Sequence, residues 1–177
     1  MSARALRFDR MNAVASATPD PNGWEIAVWR SFLRAHASIT RTLERELDTE
    51  AGLPLAWYDV LVQLATAPGR KLRMAQLADE VLLSRSGLTR LVDRLEKEGL
   101  VRRERSADDA RGTFTVLTPA GVQRLREAAP VHLSGVQRHW LDHFDETELR
   151  QLGDLLARLG GNGPAVEACA VPDEPTG

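Results

Sequence analysis

The sequence predicts a mainly α-helical fold with a small β-wing, on three observations. Two short amphipathic runs, LRMAQLADEV and LLSRSGLTRLVDRLEKEGL, follow one another between Leu72 and Leu100, as two helices joined by a turn would. An arginine-loaded stretch, VRRERSADDARGTFTVLT, comes next; it turns near Ala107–Ala110 and returns with alternating apolar and polar residues. Longer runs with helical apolar spacing lie on both sides. The whole reads as a winged helix-turn-helix flanked by N- and C-terminal dimerisation helices.

Each element has its own signal. Residues 1–22 carry no sustained period, end in TPDPNG and read as a flexible arm. An N-terminal dimerisation helix is expected within 23–54, helical from about Trp24 to Thr49. Its stripe is Val28, Phe32, Ile39, Leu43 and Leu47, with Ala35 between, and Gly52 and Pro54 end it. The winged unit is expected over 55–118. Its first helix runs from Leu55 to Thr66 through Trp57, Val60, Leu61 and Leu64, and stops at Ala67-Pro68-Gly69.

Leu77, Ala78 and Val81 are the apolar contacts of the next helix, and Leu88, Leu91, Val92 and Leu95 those of the one after. Gly99 closes that helix, and a strand begins at Leu100-Val101. Thr118-Pro119 starts the first of the C-terminal dimerisation helices, over 119–160, with a hydroxyl cap and a proline at the first position. Pro130 is expected to kink it. Asp145 to Glu148 has the spacing of a capping box and opens a last helix bearing Leu149, Leu152, Leu155, Leu156 and Leu159. Gly160 to Pro164 ends it, and 161–177 reads as a disordered tail. Helices this long cannot bury their stripes on so small a winged unit, so pairing with a second copy is expected.

Charge is segregated. The net charge of the 177-residue chain is −2, but residues 68–118 hold eleven Arg/Lys against eight Asp/Glu. No apolar run approaches the roughly 20 residues that span a bilayer. The first residues lack the apolar core of a signal peptide, so a cytoplasmic location without membrane association is expected. The single cysteine, Cys169, excludes a disulfide framework and four-cysteine zinc chemistry.

Placing Leu88, Leu91, Val92 and Leu95 inward leaves Ser84, Arg85, Ser86, Thr89, Arg90 and Asp93 outward. The N-terminal part of a recognition helix meets base edges. Arginine can bridge guanine O6 and N7, and threonine can touch a thymine methyl or a phosphate. Ser84, Arg85, Ser86 and Thr89 are therefore assigned to DNA, with Arg85, Ser86 and Thr89 at or near the bases. Arg90 and Arg94 contact phosphate or pair internally. From Ser84 to Arg90 there is no acidic residue; Asp93, Glu96 and Glu98 are confined to the second half. In the wing, Arg102, Arg103, Arg105 and Arg111 are basic, and Arg103 and Arg111 are assigned to DNA. Arg111 follows the turn and suits the negative potential of a narrow minor groove. Asp109 either orients an arginine through a charge-assisted bond or simply forms the turn.

The stretches Leu72–Val81 and Ser84–Leu100, the wing with Asp109-Ala110-Arg111-Gly112, and the Thr118-Pro119-Ala120-Gly121 junction resemble the multiple-antibiotic-resistance regulator (MarR) family. The resemblance extends from about Trp24 to Leu159. It implies an obligate homodimer, triangular in outline, on a pseudo-palindromic operator in double-stranded DNA. It also implies a repressor released by a small phenolic or aromatic-acid effector, held between the dimerisation helices and the winged unit. Asp109 and Arg111 match the family's Asp-x-Arg wing signature.

The residues themselves suggest a ligand pocket walled by His36, Trp57, Tyr58 and Asp59, aromatic surfaces with one or two polar anchors. The ordinary alternative is Trp57 as a core aromatic and His36 as an interface histidine. His139 and His143 lie four apart on what reads as one helix face, with His132 seven before. Two such histidines can bind zinc, but no third ligand completes a site, so no metal or cofactor is expected. No nucleophile elbow, phosphate-cradling glycine loop or catalytic carboxylate pair is present, so no enzyme is expected. The competing reading is a winged-helix module that binds protein without specific DNA binding.

Overall fold

The structure, a computed structural model, describes residues 20–81, 85–105 and 113–159, with Arg85 described for its backbone alone. The expectations for the arm before residue 20, for Ser84, for the wing turn with Asp109 and Arg111, and for the tail with Cys169 lie outside the described residues. The chain divides into two units, one ending at Thr40 and one beginning at Arg41.

The first unit is the start of α1 (Trp24–Glu46). Asp20 gathers the chain before the helix: its side chain accepts the Asn22 N–H and its carbonyl the Gly23 N–H, each at 2.9 Å. Trp24, Val28, Trp29, Phe32 and Leu33 are all exposed, Trp24 by 74% and Val28 by 59%. Trp29 stacks on Phe32 with ring centroids 5.8 Å apart, and Phe32 meets His36 at 6.4 Å. These contacts follow the i, i+3 and i, i+4 neighbours of a helix surface.

The second unit holds the core. The helix that the sequence carries to Thr49 is α-helical to Glu46 and passes into a π-helical turn, Leu47–Ala51. Gly52 ends that turn at φ 60° and hands its N–H to Asp48. The left-handed conformation explains the glycine. α2 (Leu55–Thr66) buries Tyr58, Val60, Leu61 and Leu64. Pro68, Gly69 at φ 65° and Arg70 at φ 53° make the turn out of it.

A three-residue strand follows, β1 (Lys71–Arg73), then α3 (Met74–Glu80) and α4 (Arg85–Lys97). β2 (Val101–Arg105) and β3 (Thr113–Leu117) form the expected hairpin, with Val101 opposite Leu117 and Arg105 opposite Thr113. The sheet runs β1-β3-β2, antiparallel throughout. Thr115, on the central strand, has no exposed surface and satisfies its hydroxyl on the Met74 sulfur at 3.2 Å.

α5 (Pro119–His139) continues through Pro130 as one helix. Thr118 caps it, accepting the Gly121 N–H at 3.0 Å, while its own hydroxyl reaches the carbonyls of Gly99 at 2.7 Å and Leu100 at 3.0 Å. Gly121 is required there: a Cβ would lie 2.1 Å from the Leu100 carbonyl oxygen. At the far end, Gly135 brings α5 against Leu43, and Glu46 accepts hydrogen bonds from Arg138 at 2.9 Å and from His139 at 2.8 Å. The His139 bond, with Arg138 beside it, holds the Glu46 carboxyl below its ordinary value against the opposing effect of burial.

α5 ends at His139, and His143 belongs to a separate 3₁₀ turn, Leu141–His143. The expectation that His139 and His143 share a helix face is thus corrected. α6 (Glu146–Ala157) opens with the expected capping box: Asp145 accepts the Glu148 N–H at 2.9 Å, and Glu148 accepts the Asp145 N–H at 3.0 Å. Leu155 on this helix and Leu159 beyond it are exposed. Among the described residues no helix is long and apolar enough to cross a membrane.

Candidate nucleic-acid interface

The rotation of α4 is set by its apolar spacing. Leu88, Val92 and Leu95 have no exposed surface, and Leu91 packs half-buried against the same core. Burying three such side chains is worth several kcal/mol in total, at about 1.5–3 each. That burial outweighs the helix's exposed contacts and leaves it one orientation. Ser86, Thr89, Arg90 and Arg94 consequently stand at the surface together. The side chain of Arg85 and all of Ser84 lie outside the described residues.

Strand parity decides which wing arginines point outward. Val101 is buried, so Arg103 shares its face of β2 and pairs across the hairpin with buried Thr115. Arg103 is turned toward α4. Its Nη2 lies 2.5 Å from Asp93 Oδ1 and its Nη1 2.5 Å from Glu96 Oε2, while its backbone N–H donates to Glu96 Oε1 at 2.9 Å. The sequence assigns Arg103 to DNA; the structure places its guanidinium between Asp93 and Glu96, where it joins the wing strand to α4. The signal was available in two facts read together: the parity from Val101, and the i, i+3 carboxylates Asp93 and Glu96 on the facing helix.

On the other face of the sheet Arg102 pairs with Glu104. Lys71 and Arg73 both lie over the Phe114 ring, at 5.2 Å and 5.1 Å from its centroid. The sequence reading missed β1 and therefore missed these two cations. Arg105, at the end of β2, is exposed.

The expected pocket residues distribute as follows. His36 is exposed in the first unit, against Phe32. Trp57 is half-buried on α2 and packs on the core, and Tyr58 beside it is buried. Asp59 keeps an open side to water, while partial burial of its carboxyl raises it above the ordinary carboxylate value. The aromatic neighbour that the sequence did not pair is His132. Its ring lies 4.4 Å from that of Tyr58, and burial pushes its imidazole below the ordinary histidine value. Its Nδ1 is buried without a hydrogen-bond partner among the described residues.

The model of the MarR family matches residues 51–112, from the end of the turn after α1 to the residue before β3. A MarR family transcriptional regulator from Streptomyces coelicolor, solved in complex with DNA, is 37% identical. The match covers 81% of this chain and 90% of that one, with a TM-score of 0.75. AbsC, another MarR family regulator from Streptomyces coelicolor, is 34% identical over 80% of this chain and 95% of its own, with a TM-score of 0.74. A transcriptional repressor of Bacillus subtilis (strain 168), YetL, is 30% identical over 111 residues, 61% of this chain and 66% of that protein.

Proposed function

The chain belongs to the MarR family of transcriptional regulators, which are not enzymes, and from that premise we propose that two copies bind one DNA duplex and repress transcription until a small effector releases them. The observation that carries the DNA reading is the surface of α4. Ser86, Thr89, Arg90 and Arg94 stand together there, and two acids of the same helix, Asp93 and Glu96, are taken up by Arg103. A helix face of hydroxyls and arginines meets base edges and phosphates in a major groove. The likeness to a relative solved on DNA supports the same reading.

The dimer is supported by the two ends of the described chain. α1 exposes Trp24, Val28, Trp29, Phe32 and Leu33, and the C-terminal helix region exposes Leu155 and Leu159. Large apolar side chains in such number mark a surface that is covered in the working protein. Repression is supported by the relative named a repressor. The effector reading follows from the family resemblance, with a phenol or aromatic acid as the ligand class. Trp57 and Asp59 are the α2 residues we assign to it, an aromatic wall and a polar anchor. Ser84, Arg85 and Arg111 keep their assigned DNA roles as part of this proposal, and Asp109 its role of orienting the wing.

The test is selection of bound sequences from a randomised duplex library, followed by titration of the enriched duplex. Thr89→Ala is expected to change the preferred base at one position in each half-site. Arg111→Ala is expected to weaken binding and flatten its salt dependence by about one phosphate contact. Failure of the protein to retain any duplex at low salt would overturn the proposal and favour a protein-binding module.

A further inference from the structure

We infer that Glu96, acting with Asp93, is a positioning residue for DNA binding: the two carboxylates hold Arg103 and so set β2 against α4, making an acidic residue on the recognition helix favourable to sequence-specific binding. The inference rests on the DNA-binding reading above and concerns the same surface.

Four observations carry it. The contact is double and includes the backbone. Glu96 accepts both the Arg103 guanidinium, at 2.5 Å, and the Arg103 amide N–H, at 2.9 Å, so it fixes the strand as well as its side chain. β2 is an outer strand of the sheet, where a backbone N–H facing away from β3 has no ladder partner. Glu96 satisfies one such group, which otherwise bonds only to water. Asp93 takes the second arm of the same fork at 2.5 Å, so Arg103 spans one helical turn of α4. The side chain of Arg103 is 29% exposed, shielded enough for the fork to keep one geometry.

The arrangement is costly by simple charge counting. Two carboxylates and one guanidinium leave a net negative charge beside the face that meets phosphates. An arginine directed at the backbone would add affinity for any sequence. Here that cation is withheld from DNA and used to relate Thr89 and Arg90 on α4 to Arg105 at the end of β2. Affinity for arbitrary duplex is reduced, and the geometry for a matching site is preset.

The two accounts of Glu96 predict opposite signs. Glu96→Gln removes the charge and keeps the size. If Glu96 merely repels phosphate, the variant binds every duplex more tightly. If it positions the strand, the variant binds the enriched duplex about five- to tenfold more weakly. It binds a random-sequence duplex of equal length as well or better, because Arg103, held by Asp93 alone, turns more readily to phosphate, and its salt slope steepens by up to about one unit.

Arg103→Lys is the second variant. It keeps the charge but cannot fork across two carboxylates, and it is expected to lose discrimination in the same way. Parallel tightening on both duplexes by Glu96→Gln, or undiminished discrimination in both variants, overturns the clamp while leaving DNA binding intact. Equal affinity of the wild type for enriched and random duplex overturns the DNA reading itself, and the clamp with it.

Discussion

Replacing Gly121 with alanine isolates the joint between the wing and the long helix α5. In a helix with free space, Gly→Ala stabilises by up to about 1 kcal/mol. At Gly121 the added Cβ would sit 2.1 Å from the Leu100 carbonyl oxygen and 2.7 Å from Leu117 Cδ1. Contacts below 3.0 Å are essentially never made by real Cβ atoms, so α5 or the Leu100 turn must move by about 1 Å. The obstacle is backbone and cannot rotate away. Retreat of α5 is opposed by Thr118, whose N–H and hydroxyl both hold the Leu100 carbonyl, at 3.1 Å and 3.0 Å. Overpacking of this kind costs about 1–3 kcal/mol, and the backbone obstacle puts it at the upper end. Less the helix gain, the net loss is about 2 kcal/mol. With an m value of about 2 kcal/mol/M, the urea midpoint falls by about 1 M. The comparison is Gly153→Ala in α6, where a Cβ meets nothing within 4 Å. It should raise the midpoint by a few tenths of a molar. Both are measured at one protein concentration, because association shifts the apparent stability. A Gly121→Ala protein as stable as the wild type would refute the close approach of α5 to Leu100.

Further outcomes are expected. Thr118→Ala removes the cap of α5 and its tie to Gly99 and should cost about 1 kcal/mol in the same urea assay, with Thr118→Ser restoring most of it. The folded His132 imidazole titrates below its unfolded value of about 6.5, so the unfolded chain binds the extra proton first and stability falls as pH drops below about 6.5. His132→Phe should flatten that acid-side decline in the melting midpoint; an unchanged decline would assign it to other groups. The folded Glu46 carboxyl titrates below its unfolded value, so its contribution is present above about pH 4.3 and is lost as pH falls through the lower folded value. Glu46→Gln should therefore lower stability at neutral pH by about 1 kcal/mol and leave it nearly unchanged at pH ~2.

Most of the winged unit was legible because its signals are local. The 3.6-residue spacing of Leu88, Val92 and Leu95 oriented α4, and the Thr118-Pro119 and Asp145–Glu148 signals marked helix starts that the structure reproduces. β1 was not legible: three residues are too few to show alternation, and Lys71–Arg73 is extended because β3 pairs with it. Arg103 was read by charge alone, although its partners lie seven and ten residues away on another element. His139 and His143 were read as one helix face because nothing local announces that α5 stops at His139. The stripe along α1 and the π-helical turn after it divides in a way no periodicity reveals: Leu43 and Leu47 are buried within the chain, whereas Val28 and Phe32 are exposed.

Guanine N7 lies in the major groove, where α4 is proposed to sit. Methylation interference on the enriched duplex is therefore the most direct measurement. Two clusters of interfering guanines, about one helical turn or roughly 10 bp apart, are predicted for a duplex carrying two chains. They should weaken selectively in Arg90→Ala or Thr89→Ala. Tight binding that no N7 methylation disturbs, on a duplex holding a single chain, would contradict the account.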